Sequence, residues 1–185
     1  MLATARKDRD LCFIDVETTG ARFGYHELIE IAAVRCTNDG AEELGVWSRR
    51  VVPQYPERAT PEAMALNGFE LGRWHDAERS TRPMWEEFVR FARGSIAVCH
   101  NPAFDRAFIT LAASACGISS LEIDHHWIGT ESLAWPLYKS GRLPGVSLSE
   151  LCAAFEINSD PVPHRALAGA QTCRSLYRAL LTRIS

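Results

Sequence analysis

The sequence predicts an α/β fold, a mixed β-sheet flanked by helices on both faces. Three observations lead there. Strand patterns cluster in the first third of the chain, and helical patterns then alternate with a single short strand. The 185 residues, 46% hydrophobic and 23% charged, suit one domain with a substantial core. No low-complexity segment, repeat or long linker divides them, so residues 1–185 read as a single domain. The polar first ten residues read as an extended or disordered lead-in.

The elements follow in order. Leu11 to Glu17 is apolar and β-rich and runs into Thr18-Thr19-Gly20, a strand meeting a turn. Leu28 to Cys36 is a second strand, and Asn38-Asp39-Gly40 turns it back into a third, Leu44 to Val52. Together they predict an antiparallel meander. Thr60-Pro61 is a helix start, with a capping hydroxyl before a proline suited to the first turn. Pro83 to Arg93 places Trp85, Phe88, Val89 and Ala92 on one helical face. Ser95 to Cys99 is a short buried strand, and Pro102 to Cys116 a helix ended by Gly117. Thr130 to Tyr138, Ser147 to Phe155 and His164 to Leu181 complete the set. This order is that of the ribonuclease H-like architecture.

Charge and cysteine usage narrow the function. A net charge of −3 argues against gripping duplex nucleic acid by charge alone, so any such grip is local or supplied by bound cations. Met1 to Asp10 lacks the apolar stretch of a signal peptide, and no apolar run reaches membrane-spanning length. Cys12, Cys36, Cys99, Cys116, Cys152 and Cys173 are scattered without a CxxC pair, which reads as buried thiols in a reducing compartment. The expected location is the cytoplasm.

Three short stretches carry chemistry. Asp15 and Glu17 are two apart on a strand, hence on one face, at the end of an otherwise apolar run. Two such acids repel unless a cation lies between them, and oxygen ligands favour Mg²⁺ or Mn²⁺. A solvated strand end would show the same pair. In His100-Asn101-Pro102-Ala103-Phe104-Asp105, the strand ends and Asp105 falls in the first turn of a helix, where the dipole favours an acid anyway. His100 and Asn101 cap that helix or shape its loop. In Pro163-His164-Arg165-Ala166-Leu167, an imidazole stands at or just before another helix start. It is a helix-end residue or, near bound metal, the base that takes a proton from water. Adjacent Cys99 and His100 point to opposite strand faces and make a poor catalytic pair.

In this order, the three stretches resemble the DEDDh 3′→5′ exonuclease family. Asp15-Val16-Glu17-Thr18-Thr19-Gly20 with Ile29-Glu30-Ile31-Ala32-Ala33-Val34 looks like its first motif, the His100–Asp105 stretch its second, and His164-Arg165-Ala166-Leu167 its third. Weaker matches lie at Thr60 to Ala63, Asn67-Gly68, Thr130 to Ala134 and Leu148 to Cys152. The resemblance implies two-metal phosphodiester hydrolysis with Mg²⁺ or Mn²⁺. Asp15 would bind both ions, Glu17 one, Asp105 would act at the second, and His164 would be the general base. Thr18, Thr19, His100 and Asn101 would contact the end of single-stranded DNA or RNA. Phe23 and Phe104 are the candidates for stacking on bases, with a core place the expectation for Phe104. A polymerase or homodimer partner also falls within the resemblance.

One departure stands out. Five positions after the histidine the family carries an aspartate, and here that residue is Gly169, in register with Ala170-Gln171. Glycine supplies no ligand and costs about 1 kcal/mol relative to alanine inside a helix. A carboxylate from elsewhere, such as Asp160 or Glu131, is a candidate substitute for it. The alternative function is a weakened member that binds nucleic-acid ends or serves as a partner subunit. A smaller departure is Gly129 before Thr130, where relatives often carry aspartate.

Overall fold

The computed structural model describes residues 5–70, 76–158 and 162–184. Five strands form one mixed sheet: β1 (Leu11–Thr18), β2 (Leu28–Cys36), β3 (Glu43–Arg50), β4 (Ile96–Cys99) and β5 (Ile128–Gly129), in the spatial order β3-β2-β1-β4-β5. The first three form the expected antiparallel meander, and β4 and β5 run parallel to β1. Around them lie α1 (Pro61–Asn67), α2 (Arg82–Ala92), α3 (Pro102–Ala115), α4 (Thr130–Lys139), α5 (Leu148–Ala154) and α6 (Ala166–Ile184).

Strand alternation sorts the core into two faces. Leu11 and Phe13 of β1 pack with Val34, Val98 and, from α6, Ala170, Cys173 and Tyr177. Cys12, Ile14 and Val16 pack on the other face with Trp85 and Phe88 of α2 and Phe108 and Ile109 of α3. A third cluster, including Leu137, Leu151 and Leu180, ties α4 and α5 to α6. Helices therefore cover both sides, as the sequence predicts.

Several ends are set by caps. Thr60 accepts from the Ala63 amide at 3.2 Å with Pro61 in the first turn of α1, and Ser147 and Glu150 form a capping box on α5. Three details differ from the sequence reading. Residues Arg6–Asp8 form a 3-10 turn rather than an extended lead-in, because Arg6 and Arg9 fasten it to the buried Asp124 carboxylate. α6 starts at Ala166, two residues after His164. Strand β5 is only two residues long, too short for any periodic signal. Its Gly129 faces the start of α3, where an added Cβ would meet Pro102 Cδ at 3.0 Å.

Candidate active site

The candidate site gathers where β1 outruns β4. The two strands pair only from Leu11 to Phe13, so the second half of β1 keeps β2 on one side and opens toward α3 on the other. Asp105, in the first turn of α3, fills that opening. It is 5% exposed, and its carboxyl accepts from its own amide, the Cys99 thiol and the Val16 amide of β1. Burial outweighs those three donors and pushes its pKa up to about 7.

Asp15 and Glu17 lie on the α6 side of β1, both half-buried. Opposite Asp15 stands Gly169 of α6. An ideal Cβ at Gly169 would lie 2.7 Å from Asp15 Cγ and 3.2 Å from Asp15 Oδ1, and Oδ2 would press on it too. The Asp15 carboxylate thus occupies the space of a side chain at position 169. Cys173, one turn further along α6, has its thiol pushed well up by burial, then by the charges of Asp15 and Asp105. Cys99 is raised by burial, Asp105, Cys173 and Asp15 in turn. Both carboxylates therefore act on the same two thiols, which stay protonated and inert. Glu17 pairs directly across from Glu30 of β2, adding a fourth acid to the neighbourhood.

His164 is seated by α1. Its amide donates to the Leu66 carbonyl at 2.7 Å, and Arg165 donates to the Asn67 carbonyl. Gly68 ends α1 with φ 65°, and a Cβ there would meet Pro163 at 2.9 Å, so glycine serves both the backbone turn and the close approach. Buried Asn67 also donates to the Thr18 carbonyl at 3.0 Å and accepts from the Phe69 amide. A single Asn-Gly pair thereby couples the end of β1 to the histidine segment. Sequence reading noted that pair only as a weak motif match; a buried asparagine followed by a positive-φ glycine was the available signal.

The other expected residues fall as follows. Thr18 and Thr19 are buried and build the turn: Thr18 donates to the Gly20 carbonyl at 2.9 Å, and Thr19 accepts from the Glu27 amide at 2.9 Å. The Thr19 amide and carbonyl pair with Glu27 and Thr60. His100 shares a 2.9 Å hydrogen bond with Thr130, and burial, opposed by Glu131, lowers its pKa. Asn101 precedes α3 without a side-chain cap bond and is exposed. Phe23 is 56% exposed and edge-on to Phe108 at 6.2 Å, while Phe104 packs against the core as expected. Glu131 acts on His100, and Asp160 lies outside the described residues.

All six cysteines are free, and no described helix is long and apolar enough to cross a membrane. Asp124, His125 and His126 also lie close enough together to hold a metal, but Arg6 and Arg9 already occupy one oxygen of Asp124.

Known proteins share this sequence and fold. The chain is 32% identical to DNA polymerase III subunit epsilon of Escherichia coli over 179 residues, 90% of this chain and 69% of that protein. It is 28% identical to a PolC-type DNA polymerase III of Caldanaerobacter subterraneus, covering 97% of this chain and 12% of that one. It likewise spans only 26% of a Mycobacterium tuberculosis protein with 30% identity. Among solved structures, Escherichia coli exonuclease I in complex with a dT13 oligonucleotide superposes with TM-score 0.80 at 16% identity, over 95% of this chain and 41% of that one. The nuclease domain of 3′hExo, a DEDDh family member bound to rAMP, gives 0.74 at 15%, over 95% and 93%. The fold is thus the ribonuclease H-like one. The exonuclease family pattern matches residues 12–177, nearly the whole chain, and the chain belongs to the RNase T exonuclease family.

Proposed function

We propose that this chain is a divalent-metal-dependent 3′→5′ exonuclease domain of the DEDDh kind, acting on single-stranded DNA or RNA ends, with a metal site weakened at Gly169. The observation that carries the reading is that Asp15 and the buried Asp105 both act on the Cys99 and Cys173 thiols beside the central strand. Asp105 is so desolvated there that its pKa rises to about 7. A buried acid beside a second acid is an arrangement that a hard cation relieves. The oxygen donors Asp15, Glu17 and Asp105 suit Mg²⁺ or Mn²⁺. Bound there, such ions supply the charge that activates water and stabilises the leaving oxygen.

The protein's own groups divide the remaining work. His164, fixed by α1, takes the proton of the attacking water at its imidazole nitrogen. Exposed Phe23 offers a face for the terminal bases. The Asp15 carboxylate, resting in the space of a side chain at 169, favours a second reading: a nucleic-acid-end binding module with little turnover. Similarity to the epsilon subunit and to PolC-type polymerases supports a polymerase as partner. The test is degradation of a 5′-labelled single-stranded oligonucleotide with Mn²⁺ and with excess chelator. Activity that vanishes with chelator is expected. Full activity in chelator removes the metal assignment, and tight binding without cleavage in Mn²⁺ selects the second reading.

A further inference from the structure

We propose that a cavity of about 660 Å³ beside the catalytic end of β1 binds the nucleotides immediately 5′ of the one being removed. The proposal rests on the exonuclease reading and extends it to a second binding region. The cavity lies beneath the loop Gly24 to Leu28, between Val51 to Tyr55 and the outer side of α3. Its size is that of a small-ligand site, enough for a nucleotide.

Its walls carry the two chemistries a strand needs. Tyr25 and Tyr55 are both partly exposed aromatic rings at its edge, suited to stacking on bases. Arg58 lies over both rings, 3.8 Å from the Tyr55 centroid and 5.0 Å from that of Tyr25, and Arg22 lies 5.1 Å from the Tyr25 centroid. Arg79 stands exposed at the rim. By contrast, Arg35, Arg49, Arg50 and Arg174 pair with carboxylates. Among the described residues, no carboxylate forms an ion pair with Arg22, Arg58 or Arg79. In a chain of net charge −3 this is a local concentration of unneutralised positive charge, the complement of a phosphodiester backbone. The one acid in the wall, Glu27, accepts from the Gln54 and Tyr55 amides at 2.9 and 2.7 Å. Those bonds also lock the loop to the opposite wall, so the cavity is preformed.

Phe108 ties the cavity to the catalytic end. It lines the cavity, touches Phe23, and follows Asp105 by three residues on α3, about 5 Å along the helix axis. On the proposed path, a strand whose 3′ nucleotide lies at Asp105 passes Phe23 and meets the cavity next.

The same base-plus-phosphate chemistry could come from a free mononucleotide, and the experiment separates the two. Fluorescence anisotropy in chelator, where nothing is cleaved, measures binding of a labelled mononucleotide and a labelled six-residue oligonucleotide to the parent, Arg58→Gln and Arg79→Gln. The expected result is a loss of roughly tenfold for the six-mer in each variant, the scale of one charge-assisted hydrogen bond. The mononucleotide affinity stays the same, and the salt slope for the six-mer falls by about 0.7 per arginine. Equal losses at both lengths, or no loss in either variant, overturn the proposal. So does a mononucleotide that displaces the six-mer from the parent but not from Arg58→Gln. Among the described residues Arg79 has no hydrogen-bond or ion-pair partner, so its variant decides the question if Arg58→Gln melts early. Because binding is read without cleavage, failure here is distinct from failure of the nuclease reading, which the Mn²⁺ assay reports.

Discussion

Replacing Gly169 with aspartate puts the site to work against its own geometry. The new Cβ would lie 2.7 Å from Asp15 Cγ, against an optimal carbon–carbon separation of about 3.5–4.0 Å, so Asp15 must retreat by roughly 1 Å. Two ionised carboxylates about 4 Å apart repel by about 4 kcal/mol at an effective dielectric of 20, less whatever one of them recovers by taking up a proton. Helix propensity returns only a few tenths of a kcal/mol. From the sequence alone, aspartate at this position looks harmless to folding. With Asp15 in its way, Gly169→Asp lowers the melting temperature of the metal-free protein by several degrees, at about 2–4 °C per kcal/mol for a chain of this size. Mn²⁺ turns the repulsion into ligation, so the variant gains more stability from the metal than the parent does. Its degradation rate at saturating Mn²⁺ rises, each tenfold corresponding to about 1.4 kcal/mol of barrier. The assay is a thermal melt against Mn²⁺ concentration, paired with oligonucleotide degradation. If the metal-free melt, the Mn²⁺ shift and the rate all match the parent, the reasoning about Gly169 fails.

Three further outcomes follow from named contacts. His164→Ala lowers turnover by roughly 10²–10⁴-fold with an unchanged melting temperature; an unchanged rate would make the histidine a segment anchor only. Asn67→Ala strands the Thr18 carbonyl and costs about 1–3 kcal/mol of stability, read as a lower midpoint in urea; a midpoint within error of the parent would mean that water replaces the amide. In the metal-free protein, folded Asp105 holds its proton until about pH 7, whereas the unfolded chain releases it near 4. The folded state therefore binds more protons between those values, and this group's contribution to stability falls as pH rises from about 4 to 7. Melts at pH 5 and 8 should show the parent losing ground to Asp105→Asn, and parallel pH profiles would contradict the burial of that acid.

What could be read from the sequence was whatever had a local cause. β2 matched its expected bounds because turns close both ends, and α5 began where a capping serine precedes it. The candidate acids Asp15, Glu17 and Asp105 could be picked out because a strand end and a helix start display them. What was not legible depended on distant partners. The start of α6 slipped by two residues because His164 is held by Leu66, nearly a hundred positions earlier. The Thr18 and Thr19 hydroxyls shape the turn through bonds to Gly20 and Glu27, which strand periodicity does not display. The N-terminal turn depends on Asp124, more than a hundred residues away. No pattern in one strand or one helix could reveal that Asp15 fills the space beside Gly169.

Direction of attack tests the central claim most directly. Three single-stranded substrates carrying an internal label are incubated with the protein and Mn²⁺: one with a free 3′ end, one with that end blocked, and one closed into a circle. A metal-dependent 3′→5′ exonuclease releases mononucleotides from the first and leaves the other two intact. Equal cutting of free and blocked ends, or any opening of the circle, would contradict it.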